Sequence, residues 1–298
     1  MTRSRVFSAL CAVMAGVFGL TLASAAGAAP AWWRVSDGRN EIWIIGAPRV
    51  TPRNFNWDTS GLEKRLASAS TLIVGPQPKN KVAETGLILV NFGELRSPTP
   101  METTLSPPLR RQFAAMRQSI GQGQGHYDGW KPAVAGFWLS QDFLKAYDLQ
   151  SGQVESKVRK LAHAKGLSET PSGTVDASEM INQFKTLGAK GQEACLAASV
   201  HDLSVGPDRL KALADAWAKG EVTTPPIDAI DRACLQAAPA FGAAFDRAAN
   251  QDSAAIAQAL SRGAPRAVAE FDLPTLIMPG GVLDHLRARG LQVSGPME

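Results

Sequence analysis

The residues that could do chemistry are few and scattered. No His-Glu-x-x-His, Gly-x-Ser-x-Gly, P-loop or Gly-x-Gly-x-x-Gly stretch occurs, so the sequence carries no motif signature of a zinc peptidase, serine hydrolase or nucleotide-binding protein. The four histidines are His126, His163, His201 and His285. His163 and His285 neighbour Lys or Arg in helical stretches and read as solvated. His201 falls at a helix end, where an imidazolium suits the macrodipole. His126, in Gly125-His126-Tyr127-Asp128-Gly129-Trp130, has the one loop setting suited to a site. Trp32, Trp33, Trp43 and Trp57 gather near the N-terminus. An aromatic cleft for a glycan or peptide would use such a group, but alternation along strands favours cross-strand packing.

Three cysteines occur, and Cys11 lies in an N-terminal apolar run, leaving Cys195 and Cys234. A zinc site from these two and His201 lacks a fourth ligand and any Cys-x-x-Cys spacing. In an oxidising compartment an even pair predicts a disulfide, here closing a loop of about 40 residues and worth ~4 kcal/mol before native strain. The alternative is two buried thiols acting as small hydrophobes.

The compartment follows from the start of the chain. Arg3 and Arg5 form a positive region, Val6 to Leu22 is uncharged and apolar, and Ala23-Ser24-Ala25 or Ala26-Gly27-Ala28 supplies small residues for cleavage. Residues 1–28 therefore read as a signal peptide, and 29–298 as a single domain of a bacterial periplasmic or secreted protein with no stable membrane anchor. The formal net charge is +4; losing Arg3 and Arg5 leaves +2. Without a Lys/Arg cluster, that balance gives no reason to expect nucleic acid. A composition of 45% hydrophobic and 19% charged residues is globular rather than disordered.

The elements that must position any site can be read from periodicity. Two aromatic, β-branched runs flanking Asp37-Gly38 predict a hairpin over 31–47. Pro- and Asn-rich 48–59 reads as a loop, Ser60 to Ala69 as a short helix, and Thr71-Leu72-Ile73-Val74 as a buried strand stopped by Gly75-Pro76. Residues 86–92 fit either a strand or a buried helical turn. Ser106-Pro107 starts a helix whose stripe is Leu109, Phe113, Met116 and Ile120. Further helices are expected over 130–147, 154–165, 178–201, 206–219, 227–249, 252–262 and 282–289. Strands are expected at 266–273 and 290–293. The fold class is α/β (α+β): a mixed sheet built from N- and C-terminal strands, with a largely helical middle.

Several stretches together carry a resemblance. They are Trp33-Arg34-Val35 leading into Gly46-Ala47-Pro48-Arg49, Trp130-Lys131-Pro132, Trp217-Ala218-Lys219-Gly220-Glu221, and Pro279-Gly280-Gly281-Val282-Leu283-Asp284-His285-Leu286-Arg287-Ala288-Arg289-Gly290. The sequence resembles the TraB/GumN family, which includes the Tiki-type membrane proteases. The resemblance implies a metal-dependent peptidase site of two Gly-x-x-His motifs and a Glu. Carried over, the first His corresponds to Arg49, the Glu to Gly75, the second His to Thr275 and its Gly to Asp272. A divalent metal wants imidazole and carboxylate ligands. A guanidinium repels a cation, Gly has no side chain and a Thr hydroxyl is a poor ligand.

These readings predict no cofactor and no catalytic residue. They predict a degenerate cleft at Gly46, Arg49, Gly75, Asp272 and Thr275 that binds a peptide, glycan or protein partner. The alternative is a divergent hydrolase rebuilt on Arg49, Glu41 and Asp272, acting on an acidic substrate. Arg49 at the cleft mouth would suit an anion in either case.

Overall fold

The computed structural model describes residues 29–78, 92–223, 227–263 and 266–297. The expected leader, most of the ambiguous 86–92 stretch and Thr224-Pro225-Pro226 lie outside them. The strands are β1 Trp32–Ser36, β2 Glu41–Ala47, β3 Val50–Pro52, β4 Thr71–Val74, β5 Gln77–Pro78, β6 Leu149–Ser151, β7 Ser168–Pro171, β8 Thr174–Val175, β9 Ala267–Asp272 and β10 Gln292–Met297. The helices are α1 Ser60–Ala67, α2 Met101–Thr104, α3 Pro107–Ser119, α4 Pro132–Ala146, α5 Gln153–Ala164, α6 Ala177–Thr186, α7 Ala189–Ser204, α8 Pro207–Trp217, α9 Ala229–Ala237, α10 Pro239–Ser261, α11 Leu273–Ile277 and α12 Val282–Ala288.

The main sheet runs β10-β1-β2-β9-β4-β7. Its first three strands form an antiparallel meander in space, and β2, β9, β4 and β7 run parallel. The hairpin closes where expected. Asp37 Oδ1 accepts the Arg39 and Asn40 amides at 2.8 and 2.7 Å, and Gly38 takes φ +88°. Parallel strands need crossovers and lie covered on both faces, so β4 and β9 read as near-continuous apolar runs. Helices α5 and α10 pack against this part of the molecule; Val154, Val158, Ala162, Ala249, Ile256 and Leu260 join the sheet's core. A second apolar cluster joins α3, α4 and α7 through Phe113, Leu139, Phe143 and Leu196.

An α/β fold with a mixed sheet is what the structure shows, with corrections of detail. Residues 48–59 hold the short β3, paired to β6. The expected 178–201 helix is two, α6 and α7, parted at Leu187-Gly188. The 227–262 pair divides at Ala238-Pro239 rather than near residue 250. The sheet also takes one strand from the middle of the chain: β7 pairs parallel to β4 at the edge. All four of its residues are exposed, so it carries no hydrophobic pattern to read.

Cys195 and Cys234 lie with their Sγ atoms 2.02 Å apart and Cα atoms 4.5 Å apart, placing α7 beside α9 and compatible with the expected bridge. Trp32 and Trp33 are buried in the core, and the Arg65 guanidinium sits over both Trp32 and Trp43, 4.3 and 4.4 Å from their ring centroids. Trp32, Trp33 and Trp43 are packing residues here, whereas Trp57 lines, with Phe55, a separate cavity of about 270 Å³.

One glycine fixes how β2 meets α11. A Cβ on Gly46 would stand 2.7 Å from Leu273 Cδ1, 3.0 Å from Leu276 Cδ2 and 3.3 Å from the Leu273 backbone. Gly46→Ala is therefore an overpacking change at the strand–helix contact. We expect it to destabilise the domain by about 1–3 kcal/mol, read as a melting temperature several degrees lower; an unchanged melting temperature would show that α11 can move away freely.

Candidate functional site

The parallel strands end together. Gly75 follows β4, Asp272 closes β9, and Ser172, just past β7, donates its backbone N–H to the Val74 carbonyl at 2.8 Å. Ligands of open α/β sheets bind outside these carboxyl ends. A cavity of about 510 Å³ opens there, lined by the Gly75-Pro76-Gln77 turn, by Glu155 and Arg159 of α5, by Asp252 of α10, and by Glu270, Asp272 and Thr275.

At its rim lies a closed polar unit. The guanidinium of Arg49 donates to Asp272 through Nε at 2.7 Å and Nη2 at 2.8 Å. Asp272 Oδ2 also accepts the Thr275 amide at 3.0 Å and its hydroxyl at 2.6 Å, capping α11. Arg49 further lies over the Phe245 ring, 5.3 Å from its centroid. A bidentate charge-assisted pair is among the stronger polar contacts, and it ties the β2–β3 connection to the end of β9, 223 residues on.

Deeper in the cavity the chemistry differs. Glu270 is 3% exposed, in register with Ile45 of β2 and Val74 of β4. Among the described residues its carboxyl group has no hydrogen-bond partner. Burial raises it from the ordinary carboxylate range to about 8; Glu155, Asp252 and Asp272 push the same way, and Arg159 opposes them. Asp252 is also buried and is raised to about 7 by desolvation, against a 2.5 Å hydrogen bond from the Ser172 hydroxyl. Glu155 is raised by burial and by Asp272, with Arg159 and Arg49 lowering it.

Of the five expected site residues, Gly75, Asp272 and Thr275 line this cavity. Arg49 reaches it only through Asp272. Gly46 lies under α11 and serves packing; its carbonyl accepts the buried indole N–H of Trp217 at 2.7 Å. Glu41 stands at the start of β2, the opposite end of the strand, and pairs with Arg34. It cannot share a site with Arg49 and Asp272. The anion-binding reading of Arg49 also loses its support, because its fork is already occupied by a carboxylate. None of the four histidines lines the cavity. His126 pairs with Asp142, which also accepts the Tyr127 hydroxyl at 2.7 Å, and His201 pairs with Asp228.

Glu270 and Asp252 escaped the sequence reading, although each left a trace. Glu270 is a lone carboxylate in Ala267-Val268-Ala269-Glu270-Phe271, an otherwise apolar strand. Asp252 sits on the helical stripe Ala249, Ser253, Ile256 and Leu260. A charge at core spacing is the signal in both cases.

The profile of the TraB/PrgY/gumN family matches residues 31–295. No curated protein and no protein of solved structure matches the chain.

The raised carboxyl groups have a consequence for stability. A carboxyl whose folded pKa lies above its unfolded value binds more protons in the native state. Its contribution is complete below the unfolded value and is lost as pH rises through the folded one. For Glu270 that window runs from about 4.5 to about 8, and the loss is on the order of a few kcal/mol. Glu270→Gln keeps the shape of the neutral acid. We expect this variant to melt close to the native protein at pH 5 and clearly above it at pH 8.5; melting curves that stay parallel across this range would overturn the assignment.

Proposed function

The chain belongs to the TraB/PrgY/gumN family, and we propose that it is a periplasmic or secreted, non-catalytic member that binds a peptide, glycan or protein partner in the cleft beyond β4 and β9. The observation that carries this reading is the closed Arg49–Asp272–Thr275 unit. Arg49 and Thr275, with Gly75, stand at the positions to which the family resemblance assigns metal ligands, Asp272 at that of the second motif's Gly, and Arg49, Gly75 and Thr275 do not fit a metal. A guanidinium repels a cation, and this one is held by the Asp272 carboxylate beside it. The Thr275 hydroxyl donates its proton to that same carboxylate, and Gly75 offers no side chain. We therefore derive no step through a metal. A binding role needs only what the cleft has: a concave volume in the range of small-ligand sites and a few converging polar groups.

A second reading has an observation of its own. Glu270 and Asp252 are carboxyl groups held near neutrality at physiological pH, the condition for general acid–base work. A hydrolase rebuilt on them would be metal-independent, and Glu270→Gln would abolish its activity.

The readings separate in one set of measurements on the mature protein. We expect no change in melting temperature with EDTA or with added Zn²⁺, Mn²⁺ or Co²⁺, and no cleavage in a broad peptide screen. A stoichiometric transition metal with activity lost on chelation would restore the family's peptidase site, and chelation-resistant cleavage would favour the rebuilt hydrolase.

The periplasmic or secreted assignment rests on the leader-like first 28 residues. No described helix is long and apolar enough to cross a membrane. We expect the protein recovered from the periplasm or medium to begin between Ala26 and Ala29 by mass spectrometry. Retention of Met1 would refute the leader.

A further inference from the structure

The acidic side of the cavity asks for an occupant. Four carboxyl-bearing residues line it, Glu155, Asp252, Glu270 and Asp272, against the single cation Arg159. Asp272 is neutralised by Arg49 and Asp252 is held by Ser172. Glu270 has neither kind of partner among the described residues, and it is carried by the central strand β9, where water cannot surround it. A carboxylate held this far from water without a partner is costly, and the cost of its ionisation is one that a neutral Gln or an aliphatic residue would avoid. The cavity it faces is large enough for an organic group. The carboxylates are also distributed around this volume, because among the described residues no three His, Cys, Asp or Glu side chains are placed to hold one metal ion.

We propose that the cavity is a receptor for a single organic ammonium group, such as an amine terminus or a lysine-like side chain, seated on the Glu270 carboxylate with Asp252 and Glu155 beside it. This deepens the cleft reading above by naming the ligand class, and it rests on that cleft being a binding site. The ammonium brings three N–H donors and one positive charge to a place with unused acceptors, where four carboxyl groups face Arg159 and Arg49 and negative charge is in excess once Glu270 and Asp252 ionise. An anionic ligand would meet the opposite field, and a neutral hydroxyl compound would leave the burial of a Glu270 carboxylate uncompensated.

Binding is then linked to protonation. The groups facing the seat are Glu155 and Arg159 from α5, Asp252 from α10, and Glu270 and Asp272 from β9, with Arg49 behind Asp272; the turn after β4 contributes no charge. In the free protein near pH 6, Glu270 holds its proton. A bound ammonium favours the carboxylate, so the proton leaves as the cation enters. Affinity therefore rises with pH until Glu270 is ionised in the free protein as well.

The probe is n-butylammonium, titrated into the mature protein by NMR, with n-butanol and butyrate as neutral and anionic counterparts of similar shape. We expect n-butylammonium to bind most tightly of the three. Its dissociation constant should fall about tenfold or more between pH 6.0 and 8.5, with the shifted resonances on β9, α5 and α10. Glu270→Gln should weaken it by about tenfold and flatten the pH dependence. Asp252→Asn, which keeps the Ser172 hydrogen bond, should weaken it less and serves if the first variant folds poorly. Binding of n-butylammonium no tighter than n-butanol, or binding unchanged in both variants, would overturn the proposal. Those outcomes are distinguishable from a failure of the non-catalytic reading. A protein that cleaves peptides yet takes the ammonium sinks only that reading, and an inert protein that ignores the ammonium sinks only this one.

Discussion

Glu270 lies between Ile45 and Val74 in the middle of the sheet. Both neighbouring strands are apolar there, and helices cover the sheet, so the carboxyl group can neither be solvated as in water nor reach a counter-charge of its own. In such a place a carboxylate keeps a proton or recruits a cation. The covering helices turn polar where they pass the cavity beyond β9. Helix α10 presents Asp252 on an otherwise apolar stripe, and α5 presents Glu155 and Arg159 from its first two turns.

The same end of the sheet holds a second polar arrangement of opposite character. Arg49, Asp272 and Thr275 satisfy one another: a two-pronged guanidinium meets both oxygens of one carboxylate, and that carboxylate caps α11. The two arrangements are two residues apart along β9, on the same face by strand alternation. One pairs its charge internally, Nε and Nη2 of Arg49 both donating to Asp272, and fixes geometry. The other leaves capacity unused and is where a ligand can gain free energy. This division explains why the more conspicuous residue, the arginine, is the poorer candidate for recognition.

How far the sequence revealed this depended on whether burial or pairing set each feature. The hairpin, β4, β9 and α12 were legible because their residues pack as their patterns demand. Strand β7 was not, because an exposed edge strand is held by its backbone ladder and by polar side-chain contacts, such as those of Ser168 and Thr170 with Thr71, rather than by apolar burial. The break between α9 and α10 falls at Ala238-Pro239, where Pro cannot donate to the preceding turn, a signal that the continuous apolar pattern concealed. At the site, the family resemblance placed Arg49, Asp272 and Thr275 in one cleft, but the link between Arg49 and the carboxylate that holds it crosses 223 residues and depends on the parallel pairing of β2 with β9. Glu41 misled for the complementary reason: it shares a strand with Gly46, but strand length separates the two ends.

Fold and site are also separable energetically. The antiparallel side, β10-β1-β2, carries Trp32, Trp33, Val35, Ile42 and Ile44 in full burial, each side chain worth roughly 1.5–3 kcal/mol or more relative to exposure. Trp217 then pins the end of β2 through the Gly46 carbonyl while meeting Trp57 edge-on and Phe55 at a tilt. None of these contacts involves a group that lines the cavity. A metal site at the strand ends is therefore not needed to hold the sheet together. At the strand ends the polar groups differ in whether the protein itself partners them. Arg49 and Thr275 are held by Asp272. Glu270 has no such partner among the described residues, so the free energy that its ionisation costs is what a cation seated there would offset.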